Sequence, residues 1–472
     1  MSRFCRPPSG LLPLLFALLL AATGCSRLEP PGPEQALVVG LPANPVFQQQ
    51  APPTEGMAGY SRDLTALFAE SLNVDIQYIV APDNPSLLAL VRERKVHFAA
   101  AVPAQYGDPG LRYTPPLRET RQLVVQHVSA LPVDTPEKLA GREISVMPGA
   151  PQIDALRGLK IEPPPLIVER RGVDELELLD RIARQRHELA ATDDLHFTVA
   201  ANFNPDLAEA FELPGKLAYV WAFDATGDAL RARAAEFIET LRADGTLRRL
   251  DDRYFGHIRR LDSRDIVAFL GHIRERLPEY RQAFHEAQEI TGIDWRLIAA
   301  LAYQESKWDP LATSFTGVRG MMMLTEDTAD RLGVTNRLDP KQSIRAGARY
   351  LAMLTDDLPE EVAYPDRFWF ALAAYNLGMG HLRGARAFAP GLKRDPNLWV
   401  DMKQVLPLMS RPEYYERLKG GRARGGEAVI LVENVRNYFD VLSRFEPAWK
   451  PPSLGANSSV KKMKRKKSAV RR

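Results

Sequence analysis

Cysteine is almost absent: the 472 residues contain only Cys5 and Cys25. No disulfide framework can hold this chain together, so hydrophobic cores must do it. Eight scattered histidines and no cysteine pair give no metal-ligand cluster, and neither a metal nor a cofactor is expected. Long apolar runs are missing too, apart from Leu11 to Ala22, which is too short to span a bilayer comfortably. Charge of one sign is not in excess, with 62 Lys and Arg against 59 Asp and Glu. What remains is ordinary globular composition, 45% hydrophobic and 26% charged, at a length that predicts two or three domains.

Arg3 and Arg6 precede the apolar run, the pattern of a secretory signal. The run closes on Ala21-Ala22-Thr23-Gly24-Cys25, which resembles a bacterial lipobox, with Ala22 where Leu is commonest. Cys5 would leave with the signal, and lipidation of Cys25 would explain the one remaining thiol. Plain signal cleavage with a stray cysteine is the alternative. Ser26, rather than an Asp, follows the cysteine, which favours the inner leaflet of the outer membrane, facing the periplasm. At the other end, Lys461 to Lys467 with Arg471 and Arg472 carry eight positive charges; without them the balance falls from +3 to −5. Such a block reads as a disordered tail that is solvated or touches anionic lipid or envelope polymers. Nucleic acid is not an expected partner of a secreted chain.

Between these ends the pattern changes once. Strands are predicted at 36–40, 74–80, 96–102, 121–128 and 143–147, with helices at 62–73 and 86–94 and one entered through Pro136. That alternation predicts an α/β domain with mainly parallel strands. From Ser263 to about 450 only helical periodicity remains: 263–287, 294–306, 325–332, 340–354, 366–377 and 428–442. The organisation expected is a signal with lipobox (1–25), a Pro-rich linker (26–35), an α/β domain (36–262), an all-α domain (263–450) and a basic tail (451–472).

Several segments of the first domain resemble the periplasmic solute-binding proteins of the amino-acid-binding type. They are Gly59-Tyr60-Ser61-Arg62-Asp63-Leu64, Tyr113-Thr114-Pro115-Pro116, the run from Thr135 to Arg142, and Arg242 to Leu247 with Tyr254-Phe255-Gly256. The resemblance implies a two-lobed fold. It also implies an Arg shortly before Tyr113 to clamp a ligand carboxylate, yet residues 99–111 hold no Arg or Lys. Asp193, near the position of the family's partner for a ligand amino group, is still acidic. A free amino acid would lose its strongest contact here. A stem-peptide or muropeptide ligand and a purely structural module are both open.

In the second domain Glu305 stands out. Asp294 can cap a helix in which Ile298, Leu301, Ala302 and Glu305 follow the i, i+3, i+4, i+7 rule, placing one carboxylate on the buried stripe. Pro310 implies that this helix stops soon afterwards. Burial and the negative end of the helix dipole would both raise the pKa of Glu305. An acid protonated near neutral pH is what cleavage of an acetal requires; a core Glu paired with an Arg is the alternative.

Three segments then occur in the order found in the lysozyme-like lytic transglycosylase family: Gln304-Glu305-Ser306, Gly317-Val318-Arg319-Gly320-Met321-Met322-Met323, and Ala373-Ala374-Tyr375-Asn376-Leu377-Gly378. Met323 stands where most relatives have Gln. The triple Met and the receptor-like domain narrow the resemblance to membrane-bound members that carry such a module. Leu431 replaces a usual Tyr.

The resemblance implies a peptidoglycan lyase, exo or endo in its cleavage. Its glycan strand is cut between N-acetylmuramic acid and N-acetylglucosamine to leave a 1,6-anhydro end. Glu305 would be the single catalytic carboxylate, Asn376 would contact an N-acetyl group or Glu305, and Tyr375 would line the sugar cleft. Ser306 either donates to Glu305 or caps the helix, and Met322 either lines the groove or fills the core. Asp309, Glu326 and Asp327 read as turn and cap residues. A hydrolytic lysozyme, which needs a second carboxylate facing Glu305, and a receptor with an inactive lysozyme-like domain are the competing readings.

Overall fold

The computed structural model describes residues 28–48, 58–105, 108–259, 261–314, 317–418 and 420–450. Cys25, the signal and the basic tail lie outside them. Two compact units divide the chain between Ile258 and Arg259.

The first unit is α/β. Its strands are β1 (Leu37–Pro42), β2 (Ile76–Ala81), β3 (Phe98–Pro103), β4 (Leu111–Tyr113), β5 (Arg118–His127), β6 (Glu143–Val146), β7 (Leu166–Glu169), β8 (Leu189–Asp193) and β9 (Leu207–Asp224). Its helices are α1 (Tyr60–Leu72), α2 (Asn84–Arg92), α3 (Gln152–Gly158), α4 (Glu175–Ala183), α5 (Asp194–Ala201), α6 (Asp228–Ala243) and α7 (Thr246–Phe255). The sheet order is β2-β1-β3-β9-β5-β8-β6-β7, with β4 also on β9. Parallel pairs β1·β2 and β1·β3 build one lobe, and β6·β7 with β6·β8 the other. The long antiparallel pair β5·β9 joins them, from Arg118↔Tyr219 to His127↔Leu207.

Local signals explain the boundaries. Asp83 caps α2 by accepting from the Ser86 amide at 2.8 Å, and Asn73 ends α1 in the left-handed conformation at φ 55°. The helix expected after Pro136 is only a 3-10 turn, Pro136–Leu139, because the chain reverses at Gly141, φ 67°.

The second unit is helical: α8 (Ser263–Glu275), α9 (Leu277–Thr291), α10 (Trp295–Ser306), α11 (Glu326–Arg331), α12 (Pro340–Asp356), α13 (Asp366–Leu377), α14 (Met379–Phe388), α15 (Trp399–Val405), α16 (Pro412–Tyr415) and α17 (Gly425–Phe445). One long helix expected over 263–287 is two. Pro278 has no amide hydrogen to continue the ladder of α8, so the chain breaks at Arg276 and restarts with the proline in the first turn of α9. The hydrophobic α10, whose Leu297 to Tyr303 are all buried, is the central element, packed among α9, α12 and α17. Asp294 caps it by accepting from the Arg296 amide at 2.8 Å.

Candidate active site

Glu305 occupies the penultimate position of α10. The helix stops there because Lys307 and Trp308 both turn left-handed, at φ 55° and 57°. Trp308, fully buried, donates its indole N–H to the Ala299 carbonyl at 2.9 Å and pins that end. The Glu305 side chain is half-buried. Desolvation raises its pKa from the ordinary 4.5 to about 7, and no charged neighbour contributes. Among the described residues no Arg or Lys pairs with it, so the reading as a structural ion pair fails on geometry.

The segment Gly317–Leu324 lies against α10, α12 and α13, and each holds it by a hydroxyl. Ser306 Oγ lies 2.8 Å from the Met321 carbonyl and 3.1 Å from that of Ala302. Tyr375 donates to the Met322 carbonyl at 2.7 Å, and Ser343 Oγ accepts from the Met322 amide at 3.1 Å. Arg337 adds bonds to the Gly317 and Leu324 carbonyls, both 3.2 Å. Gly320 sits at φ +82°, and a Cβ there would lie 1.8 Å from the Arg337 carbonyl oxygen, so only glycine fits.

Ser306 therefore positions the Met segment and does not bond to Glu305. Met322 shows no exposed side chain; it fills the core against Gly347, where a Cβ would meet it at 2.7 Å. It is the Met322 backbone carbonyl, not the thioether, that Tyr375 engages. Ser343 and Arg337 were not singled out from sequence. Ser343 could have been, as one of two polar residues on the buried stripe of α12, with Thr355.

Tyr375 ends the buried run Trp369–Ala374 of α13. Burial raises its phenol pKa well above the ordinary range, and the Glu305 charge raises it further, placing the two groups within electrostatic reach. The Tyr350 ring tilts against it, centroids 5.3 Å apart. Asn376 is exposed one residue later, with no protein partner for its amide among the described residues. Asp309 is exposed and accepts from the Leu311 amide at 2.9 Å. Glu326 and Asp327 are exposed in the first turn of α11. Leu431 is buried on α17.

In the first unit Asp193 ends β8 and caps α5. Its carboxylate accepts from four donors: the Leu195 and His196 amides at 2.9 and 3.1 Å, Tyr219 at 2.6 Å, and His196 Nδ1 at 2.7 Å. Desolvation would lower the His196 pKa, but Asp193 and Glu175 carry it up to about 9. The imidazolium is thus an internal cation on a carboxylate expected to face a ligand, and Asp193 has no acceptor position left over. It borders a cavity of about 20 Å³, room for about one water, with Asn44, Asn84, Gln152, Glu175 and Tyr219. Glu175, Asp193 and His196 are the one group among the described residues close enough to hold a metal, with ligand atoms within 4.8 Å. Both His196 nitrogens are already engaged: the imidazolium donates Nδ1–H to Asp193 and Nε2–H to Asn44 Oδ1 at 3.2 Å.

Two known domain families match the chain: the transglycosylase SLT domain over residues 282–396, and the bacterial extracellular solute-binding proteins, family 3, over residues 37–257. Their order defines the class, a solute-binding-type module followed by a lysozyme-like transglycosylase domain. The chain is 42% identical over 440 residues to the membrane-bound lytic murein transglycosylase F of Thiobacillus denitrificans, covering 92% of this chain and 93% of that protein. It is also 42% identical over 407 residues to the protein of that name from Nitrosospira multiformis, covering 83% and 82%. The chain belongs to the membrane-bound lytic murein transglycosylase F family.

Proposed function

We propose that this peptidoglycan lytic transglycosylase cleaves the bond between N-acetylmuramic acid and N-acetylglucosamine with Glu305 as its single acid and base. The observation carrying this reading is a half-buried carboxyl at the end of α10 that no Arg or Lys pairs with among the described residues, and whose desolvation raises its pKa to about 7, so that acid and base forms are both available near neutral pH. Glu305 protonates the leaving oxygen while the N-acetyl carbonyl of the muramic residue attacks its own anomeric carbon. The glycosidic bond breaks and an oxazolinium forms. The 6-hydroxyl then attacks the same carbon and displaces the carbonyl oxygen, and the Glu305 carboxylate takes the hydroxyl proton. A 1,6-anhydro end results, no water is consumed, and the acid is restored. Tyr375 and the exposed Asn376 amide line the approach to the sugar. Mass spectrometry of products from purified peptidoglycan tests this: anhydromuramic ends are expected, and reducing ends would establish a hydrolase.

Membrane attachment follows from lipidation of Cys25 at the periplasmic face of the outer membrane; among the described residues no helix is long and apolar enough to cross a membrane. Several acyl chains are needed for a firm hold. Mass analysis of the membrane fraction should show an acylated N-terminus that Cys25→Ala abolishes.

The module, residues 36–262, takes a cell-wall stem peptide or muropeptide and tunes lysis. What supports this is the loss of both recognition groups for a free amino acid: no cation in 99–111 and a saturated Asp193. Calorimetry with stem peptides, with and without a glycan analogue at Glu305, tests binding and its reciprocal coupling. No binding at millimolar peptide leaves the module structural.

A further inference from the structure

The outer face of α12 carries charge that the fold does not use. Lys341, Arg345 and Arg349 recur every four residues, and all three are exposed. Like charges at that spacing destabilise the helix that bears them. Little offsets them: Arg345 reaches Glu286 only at 3.9 Å, and among the described residues Lys341 and Arg349 form no ion pair. Beside this face lies a recess of about 170 Å³, bounded by the three cations and by Leu332, Gly333 and Val334. Its shape is held from within, because Gln342 Oε1 accepts from the Thr335 amide at 3.0 Å and the Asn336 amide at 3.4 Å. The turn that forms the far wall is thereby tied to α12.

A series of contacts runs from the residue beside this recess to the Met segment that Tyr375 and Ser306 hold. Arg331, at the end of α11, places its guanidinium 5.5 Å from the centre of the Tyr350 ring. Tyr350 leans on Tyr375, and Tyr375 holds the Met322 carbonyl. One helix, α12, therefore carries the cationic recess on one side and supports the site wall on the other.

We propose that the recess is a second subsite for the same polymer, receiving the carboxylate-bearing peptide stems of the peptidoglycan strand whose sugars occupy the Glu305 cleft. This rests on the transglycosylase reading of the second unit. The charge of such a strand is concentrated in its stems, whose free carboxylates suit guanidinium forks. Their short apolar side chains suit a floor of Leu332 and Val334. An uncharged ligand would leave Lys341 and Arg349 unmatched and Arg345 with only its long contact to Glu286.

The test uses the full-length protein and the triple variant Lys341→Ala, Arg345→Ala, Arg349→Ala. Each is assayed on glycan strands bearing stems and on the same strands after an amidase has removed the peptides, which leaves only the lactyl carboxylate on the sugar. On stem-bearing strands the variant should show KM raised about tenfold with kcat unchanged, and should lose the wild-type sensitivity to salt. On stripped strands variant and wild type should agree. The paired change Arg345→Lys, Arg349→Lys should keep most of the wild-type KM, since it retains the charge. An unchanged KM on stem-bearing strands, or an equal loss on both substrates, overturns the subsite. Loss of binding to phosphatidylglycerol vesicles with KM unmoved would assign the recess to a lipid surface and overturn it as well. Wild type inactive on both strands removes the transglycosylase reading itself, and the subsite with it.

Discussion

Glu305→Gln should make the second unit more stable while abolishing its chemistry, and the gain should depend on pH. The folded-state pKa of about 7 lies above the ordinary 4.5. The folded protein therefore holds that proton more tightly than the unfolded chain does. The stability this contributes is fully present below about pH 4.5 and lost as pH rises through about 7. One pH interval is worth about 1.4 kcal/mol, so the full excursion corresponds to about 3 kcal/mol. Partial exposure of the side chain reduces this to about 2 kcal/mol. Gln has the same shape and never ionises, so it escapes that loss. Calorimetry of the full chain should find variant and wild type alike at pH 4.5. By pH 8 the variant's second-unit transition should lie about 5 °C higher. Turnover should fall at least a hundredfold, the scale of general acid–base catalysis. A stability difference that does not change with pH would refute the picture of an uncompensated buried acid, and substantial residual lysis would refute its catalytic role.

Wild-type lysis should decline as pH rises through about 7, because leaving-group protonation needs the neutral acid; a rate flat to pH 9 would remove Glu305 from that step. Asn376→Ala should leave the melting temperature within about 1 °C, since the side chain is exposed, and lower kcat/KM about tenfold. Gly320→Ala should cost about 3 kcal/mol or more and most of the activity, because the new Cβ meets the Arg337 carbonyl at a φ that disfavours alanine; a normally folded, active variant would disprove the constraint. Asp193→Asn should destabilise the first unit by about 3 kcal/mol, measured by calorimetry, because the His196 cation loses its 2.7 Å carboxylate partner and keeps only Glu175 at 3.6 Å.

Periodicity and caps were enough to read the division into an α/β and a helical unit, and most boundaries, because those signals are local. Asp294 caps the helix it was expected to start, while the cap at Asp83 begins α2 at Asn84, two residues before the expected start at 86. The split between α8 and α9 was also local, written in Pro278, but the apolar stripe running across it hid the break. Glu305 was legible because a carboxylate on an apolar stripe is conspicuous. Its lack of a partner was not, since that depends on side chains brought in from α12 and α13. The same limit applied to Ser306, Met322 and Asp193. Residue type marked each as able to touch a ligand, and only tertiary placement showed the first and third spending their polar groups on the protein and the second buried.

A carboxylic acid can be kept neutral at pH 7 by a neighbouring carboxylate or by desolvation, and the two routes lead to different chemistry. A carboxylate pair leaves one member ionised, ready to activate water or attack the sugar, and so opens hydrolysis. Glu305 follows the other route: desolvation is the cause of its shift, while Asp309 is engaged in a turn and Glu326 and Asp327 sit exposed at a helix start. In the proposed mechanism, Glu305 after donating its proton would remain ionised where ionisation is disfavoured, which would make it a stronger base than an exposed Glu. That base is what removal of the 6-hydroxyl proton requires, and near pH 7 neither transfer is far from balance. One desolvated residue can thus serve both halves of an intramolecular displacement. With both nucleophiles supplied by the substrate, as proposed, this unit would need accurate positioning more than a second charge, and three hydroxyls, from Ser306, Ser343 and Tyr375, fix the Met segment that follows α10.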